Sequence, residues 1–285
     1  MQSIPTAGLI STTAGNLPPF GLLRPGHVDE VIAALGTQPR PVLMAGGTDL
    51  VAAFNEGLMP GTLIDLSRIE SLRRIEVTGH ELRIGAAVTH AVGCADERLA
   101  QHAPGLAAAW RRLANPRVRL AATLGGNLMA RRVRYEASIC LSAIGARLEF
   151  AGTTGQHVVT PASLWRALPP SSLLCNIVVP LDGLHWFDYE RSMRPLMTLA
   201  STLRAGPDGL LLRCALATEY LAPVLLERVL PTRQLGHVAR IARSQAAMLM
   251  AGLGDDFNDP VLSAGYARQA AAALLARQLE GAHLG

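Results

Sequence analysis

The sequence predicts an α+β protein built in three zones. Short apolar runs rich in Val, Ile and Leu alternate with stretches at helical spacing. Gly, Pro and Asp-Gly punctuation separates them at short intervals. From about Leu235 onward the strand pattern disappears and helical spacing takes over. A chain of 285 residues holds two or three such units, each with its own core. Mixed α and β extends to about residue 70, mixes again to about 182, and gives way to a short sheet with helices.

Residues 1–24 are rich in Ser, Thr, Gly and Pro and read as a loose start. HVDEVIAALG is a helix from about His27, with Gly36 as its stop. PVLMA is a strand, and Gly46-Gly47 follow it as a turn. TLIDLSRI is a strand after Pro60-Gly61. ELRIGAAVTHA, after a Gly79-His80 turn, is a strand leading to a helix near Ala91–Leu99. Pro104 opens the next helix, and NPRVRLAATLGGNL is read as a loop. EASICLSAIG is helical; RLEFAG, QHVVTP and LLCNIVVP are strands. HWFDYERSM, MTLASTLRA and GLLLRCALATEY form three further strands, the last two joined at Pro207-Asp208-Gly209. HVARIARSQAAMLMAGL and VLSAGYARQAAAALLARQLEG close the chain as helices.

Composition removes several classes of function. Net charge is +4, yet every one of the 26 cations is arginine. Without lysine there is no Schiff base and no GxxxxGK phosphate loop. The arginines lack interleaved aromatics, so nucleic acid is not the expected partner. The 4 cysteines stand far apart, and no HExxH occurs among the 8 histidines. No metal or iron–sulfur site is therefore assigned to this chain. No apolar run reaches the roughly 18 residues of a membrane span. The N-terminus lacks the basic start and apolar core of a signal peptide. The resulting expectation is a soluble, cytoplasmic protein.

The chemistry-bearing signal is a pair of glycine motifs. LMAGGTDL runs from Leu43 through Met44, Ala45, Gly46, Gly47, Thr48 and Asp49 to Leu50. ATLGGNL contains Thr123, Gly125, Gly126 and Asn127. Gly-Gly after a strand lets the backbone approach a ligand closely and turn its N–H groups toward an anion. One such motif also reads as an ordinary tight turn. Two of them, in separate zones, suggest loops converging on the diphosphate of a dinucleotide. Neither is a Rossmann fingerprint, because GxGxxG opening a helix is absent.

AGGTDL followed by ATLGGNL resembles the FAD-binding medium subunit of the molybdenum hydroxylases, the xanthine dehydrogenase and carbon monoxide dehydrogenase group. LIDLSRIESLRRIE, LRIGAAVTH, DYERSMRPLMTLAST and Asp255-Asp256 with YARQAAAALLARQL extend the resemblance over residues from about 20 to 280. It implies a two-subdomain FAD-binding domain of the vanillyl-alcohol-oxidase/PCMH-like type over 1–182, with subdomains of about 1–70 and 71–182. A C-terminal domain over 183–285 would carry a three-stranded antiparallel sheet and helices. The implied cofactor is FAD, with molybdenum–pterin and iron–sulfur clusters held by a large and a small partner subunit. The implied assembly is a dimer of heterotrimers, and the final acceptor is NAD, oxygen or a quinone. No catalytic residue is named in this chain, since the cofactor does the redox chemistry. The alternatives are a flavin-free structural or assembly subunit and a stand-alone flavin oxidase.

The resemblance also assigns roles. Leu43, Met44 and Ala45 would end a strand against the flavin and ribityl part. Gly46, Gly47 and Thr48 would face the diphosphate, Asp49 would cap the following turn, and Leu50 would pack beneath. Thr123, Gly125, Gly126 and Asn127 form the second clasp, and Ala114 lies near the adenine or flavin edge. Glu136, nine residues after Asn127, would accept from ribose hydroxyls or serve as a helix-start carboxylate. Leu174 would touch the flavin. Arg191 stands where the family often has lysine, either near the flavin pyrimidine edge or on a solvated surface. Three departures are visible. Leu120 replaces a common Asn, Ser172 replaces a common Glu, and MARRVRYE replaces a small polar and acidic stretch. The arginines around that stretch form a solvated face, neutralise a diphosphate, or dock an acidic partner.

Overall fold

The computed structural model describes residues 19–192, 196–255, 257 and 259–282. Residues 1–18 of the expected loose start, the expected absence of a leader, and parts of DYERSMRPLMTLAST and Asp255-Asp256 lie outside the described residues; the end of that start, Gly21–Leu23, is a strand instead.

The first layer is a three-stranded parallel sheet in the order β1 (Gly21–Leu23), β3 (Thr62–Asp65), β2 (Pro41–Met44). Helix α1 (Val28–Thr37) links β1 to β2, and α2 (Thr48–Asn55) links β2 to β3. Parallel neighbours need such crossovers. Val31 and Ala34 of α1 pack on Ile64, Leu66, Ile69 and Leu72. Gly36 does not stop α1. The helix continues to Thr37 and ends at Gln38, which is extended with ψ 147°. Pro39 follows, and a residue before proline is pushed out of the helical region.

The second layer is a five-stranded antiparallel sheet, β4-β5-β8-β6-β7. Its strands are β4 (Ile75–Thr78), β5 (Glu81–Gly85), β6 (Arg147–Gly152), β7 (Gly155–Val159) and β8 (Ser172–Pro180). Helices α3 (His90–Ala95), α4 (Glu97–His102), α5 (Pro104–Trp110), α6 (Pro116–Ala121), α7 (Leu124–Met129) and α8 (Ala137–Ile144) fill the connection from β5 to β6. The single helix expected near Ala91–Leu99 is two. Asp96 ends α3 and its side chain accepts from Leu99 N at 3.0 Å to start α4. The expected loop through residue 128 is also two helices. Asn115 caps α6, with Pro116 at its first position, and Thr123 caps α7. Helices of six residues are too short to show an apolar period, so their caps are the only sequence signal. All eight residues of α8 are buried. Burying a side chain such as Ile139 stabilises by about 1.5–3 kcal/mol.

The third layer is an antiparallel meander, β12-β11-β10-β9, from β9 (Leu184–Arg191), β10 (Met197–Gly206), β11 (Gly209–Thr218) and β12 (Val224–Leu230). It has four strands, not three. β12 alternates half-buried and exposed residues behind Pro223, but its exposed positions include Leu225 and Val229, so no apolar–polar alternation marks it in the sequence. Along β10 the two faces separate by a period of two. Leu199 and Leu203 face α9 (Leu235–Met250) and α10 (Ala264–Glu280). Ala200, with Ala215 and Ala217 of β11, faces the core around α8. These small residues let α8 lie close, and Thr202 Oγ1 donates to Ala143 O at 2.6 Å. Among the described residues no helix is long and apolar enough to cross a membrane.

Candidate functional site: a groove between two glycine motifs

Strand β2 aligns Leu43 with Ile64 and Met44 with Asp65. It then breaks at Gly46 and Gly47. Gly47 takes φ 73°, a left-handed conformation that costs an L side chain about 1–2 kcal/mol. Helix α2 starts at Thr48, directly after it. The motif is thus a turn that opens a helix. The first N–H groups of a helix have no carbonyl partner within it, and Gly47 has no side chain to supply one. They and the helix dipole favour an anion. Asp49 does not cap. Its carboxylate instead reaches out of α2, accepting from Arg132 Nε at 3.0 Å and Tyr135 Oη at 2.8 Å.

The second motif is a helix start rather than a turn. Thr123 Oγ1 accepts from Gly126 N at 3.0 Å, so Gly125 and Gly126 lie in the first turn of α7. Gly125 N donates to Ala86 O at 2.9 Å, and a Cβ on Gly125 would meet that oxygen at 2.6 Å. The glycine is what lets α7 rest on the end of β5. His90 N binds Ala122 O at 2.9 Å, and Thr89 pairs with Thr123, which holds the loop before α7 in place.

The motifs meet along a continuous groove of three chambers. A chamber of 250 Å³ lies between Gly46, Gly47 and Gly126. It shares Leu43, Ala45, Gly126 and Met129 with an apolar chamber of 440 Å³. It shares Thr48 and Asp49 with a polar chamber of 710 Å³ on its other side. Met44, Leu50 and Thr123 line the central chamber. Gly125 and Leu174 line the apolar one. Ala114, Asn127, Glu136 and Arg191 line the polar one. The fold thus gathers every residue singled out above onto one groove, but it places Leu174 and Arg191 in different chambers.

The polar chamber lies where α6, α7 and α8 meet the C-terminal sheet. Arg191 of β9 pairs with Glu136 at 3.4 Å, and the Glu136 side chain is only 14% exposed. Thr198 and Thr218 of β10 and β11 complete that wall. Arg112 donates to Tyr189 O at 2.7 Å and sits 5.2 Å from the Tyr189 ring centre. Burial and the nearby Glu136 push the Tyr189 phenol up, so it stays protonated. Ala114 is held at φ 55°. Arg119 explains how: its guanidinium binds the carbonyls of Arg111, Leu113 and Ala114. Asn127 Oδ1 is buried without a partner, an acceptor open to a ligand donor. Behind the second motif, His90 Nδ1 accepts from Trp110 Nε1 at 2.7 Å, and burial with Arg119 holds its pKa down at about 4.

Sequence reasoning missed Arg112, Val118, Tyr135, Thr198 and Thr218 as lining residues. Val118, Thr198 and Thr218 come from α6, β10 and β11, and Arg112 and Tyr135 from the loops before α6 and α8, so no single local motif joins them. The fold sorts the arginine group. Arg112, Arg119, Arg131 and Arg132 bind protein acceptors. Arg111 and Arg117 are exposed. Leu120 is 73% exposed, and the Ser172 hydroxyl donates to Pro169 O at 2.6 Å.

Residues 18–182 match the family model described as FAD binding domain in molybdopterin dehydrogenase. The nicotine 6-hydroxylase medium subunit of Paenarthrobacter nicotinovorans is 29% identical over 176 residues, 60% of this chain and 62% of that subunit. The chain therefore spans somewhat under two thirds of that relative. The carbon monoxide dehydrogenase medium chain of Afipia carboxidovorans is 27% identical over 196 residues, 65% of this chain and 67% of the other. The crystal structure of quinoline 2-oxidoreductase from Pseudomonas putida 86 superposes with a TM-score of 0.76 at 22% identity, over 94% of this chain and 99% of that one. At that identity the superposition shows the shared fold.

Proposed function

The chain belongs to the family of FAD-binding domains of molybdopterin dehydrogenases, and on that premise we propose that it is the FAD-carrying electron-transfer subunit of a multi-subunit molybdenum hydroxylase. One observation carries the reading. Two glycine motifs from separate layers share a small central chamber, with a larger chamber on each side. FAD has the matching form, two ring systems joined through a diphosphate.

Bound FAD supplies the exchange between one-electron and two-electron chemistry. The chain's residues hold and tune it. The N–H groups at Thr48, Asp49 and Leu50 face the diphosphate, and Gly47, with no atom closer than Met44 Sδ at 3.9 Å to where a Cβ would stand, leaves room for it, while Gly46 lets the turn pack on the Ala121 backbone. The apolar chamber with Leu43 and Leu174 suits adenine, which needs stacking and little charge. The polar chamber suits the flavin, because Arg191 can stabilise negative charge on its pyrimidine edge. On this orientation Leu43 and Leu174 contact adenine; the reverse orientation keeps the flavin contacts that the resemblance implies for Leu43, Met44, Ala45 and Leu174. Asn127 accepts from the cofactor, using the oxygen that has no protein partner.

We place the boundary between an FAD-binding domain and a C-terminal domain near 182. The family match ends there and β9 starts at Leu184. A division of the first domain near 70 is supported by the change from parallel to antiparallel sheet between β3 and β4. The partners are a large molybdenum-cofactor subunit and a small iron–sulfur subunit, assembled as a dimer of heterotrimers in the cytoplasm. The acceptor is NAD, oxygen or a quinone. The printed names of the relatives, medium subunit and medium chain, support a multi-subunit assembly.

The test is the visible absorption spectrum of the purified chain, with the released flavin identified after denaturation. Flavin bands with FAD released support the reading. A protein that stays colourless after incubation with FAD, alone and with its partner subunits, favours a flavin-free structural or assembly subunit instead.

A further inference from the structure

Arg132 belongs to the MARRVRYE stretch, where this sequence departs from the family's small polar and acidic pattern. Its guanidinium crosses from the second layer to the first. Nε donates to Asp49 Oδ1 at 3.0 Å, and Nη2 stands 3.7 Å from Glu56 Oε1. A guanidinium carries five N–H donors. Among the described residues only the Nε donor is in a hydrogen bond, because 3.7 Å is an ion pair beyond hydrogen-bond range.

The surroundings call for those unused donors. Among the described residues, Arg132 is the one cation lining the central chamber. Asp49 lines the same chamber, and its carboxylate, on Arg132 Nε, would repel an entering diphosphate unless a cation stands between them. Tyr135 Oη donates to the same Asp49 Oδ1 at 2.8 Å, which fixes that carboxylate so that it can hold Arg132 in a set direction. Glu56 is a weak competitor. Its side chain is 65% exposed and its contact is long, so releasing it costs little.

Resting on the FAD reading above, we propose that Arg132 is a ligand of the cofactor diphosphate, aimed by Asp49 and Tyr135, and that it leaves Glu56 for phosphate oxygen when the cofactor enters. The planar fork of arginine suits two phosphate oxygens at once while Nε stays on Asp49. The chain would thereby hold its cofactor with a side-chain cation as well as with the backbone N–H groups of its glycine motifs.

The experiment titrates FAD into the full-length chain stripped of flavin, followed by fluorescence quenching at several salt concentrations. Arg132→Gln is expected to weaken binding roughly 10- to 100-fold, the scale of hydrogen bonds to a charged group, and to flatten its salt dependence. Arg132→Lys recovers part of the loss. Glu56→Gln tightens binding, because the competing carboxylate is gone. If Arg132 were only a tether between layers, Glu56→Gln would leave binding unchanged or weaken it, and the salt dependence would not move. Wild-type affinity in Arg132→Gln, or unchanged or weakened binding in Glu56→Gln, overturns the proposal and leaves the FAD reading standing. Failure of the wild-type chain to bind FAD overturns both.

Discussion

Gly46 packs against the carbonyl oxygen of Ala121 so closely that a Cβ on Gly46 would stand 1.9 Å from it. This contact joins the two motifs through backbone alone. Gly46 belongs to the turn after β2, and Ala121 is the last residue of α6, just before Thr123. Any side chain at 46 must push the two layers apart and widen the central chamber.

Gly46→Ala is therefore expected to cost more than Gly47→Ala. The first forces a backbone shift, with an overpacking cost on the order of 1–3 kcal/mol or above. The second strains one residue at φ 73°, about 1–2 kcal/mol. Thermal melts with and without added FAD check this. Gly46→Ala should lose both stability and the FAD-induced rise in Tm. Equal, small effects from both variants would contradict the contact.

Asn127 separates stability from binding. Its Oδ1 is buried without a partner, so the chain carries an unmet acceptor in the absence of ligand. Leaving such a group unmet costs about 1–3 kcal/mol. Asn127→Leu should leave the flavin-free chain as stable or more stable, yet bind FAD more weakly. A fall in melting temperature together with unchanged FAD affinity would count against a ligand role for this oxygen.

His90 sets a pH dependence. Its folded pKa is about 4 against an ordinary 6.5, lowered first by burial and then by Arg119. The unfolded chain takes up a proton as pH falls through 6.5, while the folded chain does not until about 4. The stabilisation is complete above pH 6.5 and is lost as pH falls toward 4, a change on the order of 3 kcal/mol. Melting temperature measured across this window should fall on acidification. His90→Gln, which keeps an acceptor for Trp110, should flatten the slope.

The Glu136–Arg191 pair connects the start of α8 to β9 across the polar chamber. Arg191→Gln should lower the midpoint potential of bound flavin, because the reduced form loses a nearby cation. Arg191→Lys should restore part of it. A potential unchanged in both variants, measured by spectroelectrochemistry, would return Arg191 to a purely structural ion pair.

Much of this was legible in the sequence. PVLMA, ELRIG, RLEFAG and the long C-terminal helices show their period locally. The glycine motifs show as breaks in that period. What was missed is instructive. Helices α6 and α7 are too short to carry a period, so the stretch with Gly125 and Gly126 reads as a loop although it begins a helix. Asp49 reads as a cap, but its partners Arg132 and Tyr135 lie more than eighty residues away. Leu174 and Arg191 both read as flavin contacts, and they line different chambers of the groove.

The sequence by itself determined the local events: where strands stop, where glycine must turn, and which side chain caps α3, α4, α6 and α7. These depend on backbone sterics and on hydrogen bonds spanning a few residues. Only the tertiary structure decided that Gly46 would meet Ala121, that Arg132 would reach Asp49, and that the three chambers would form one groove. Those relationships arise from burying Ile64, Leu148 and Leu199 in separate cores, and layer packing then fixes distances that no local preference encodes.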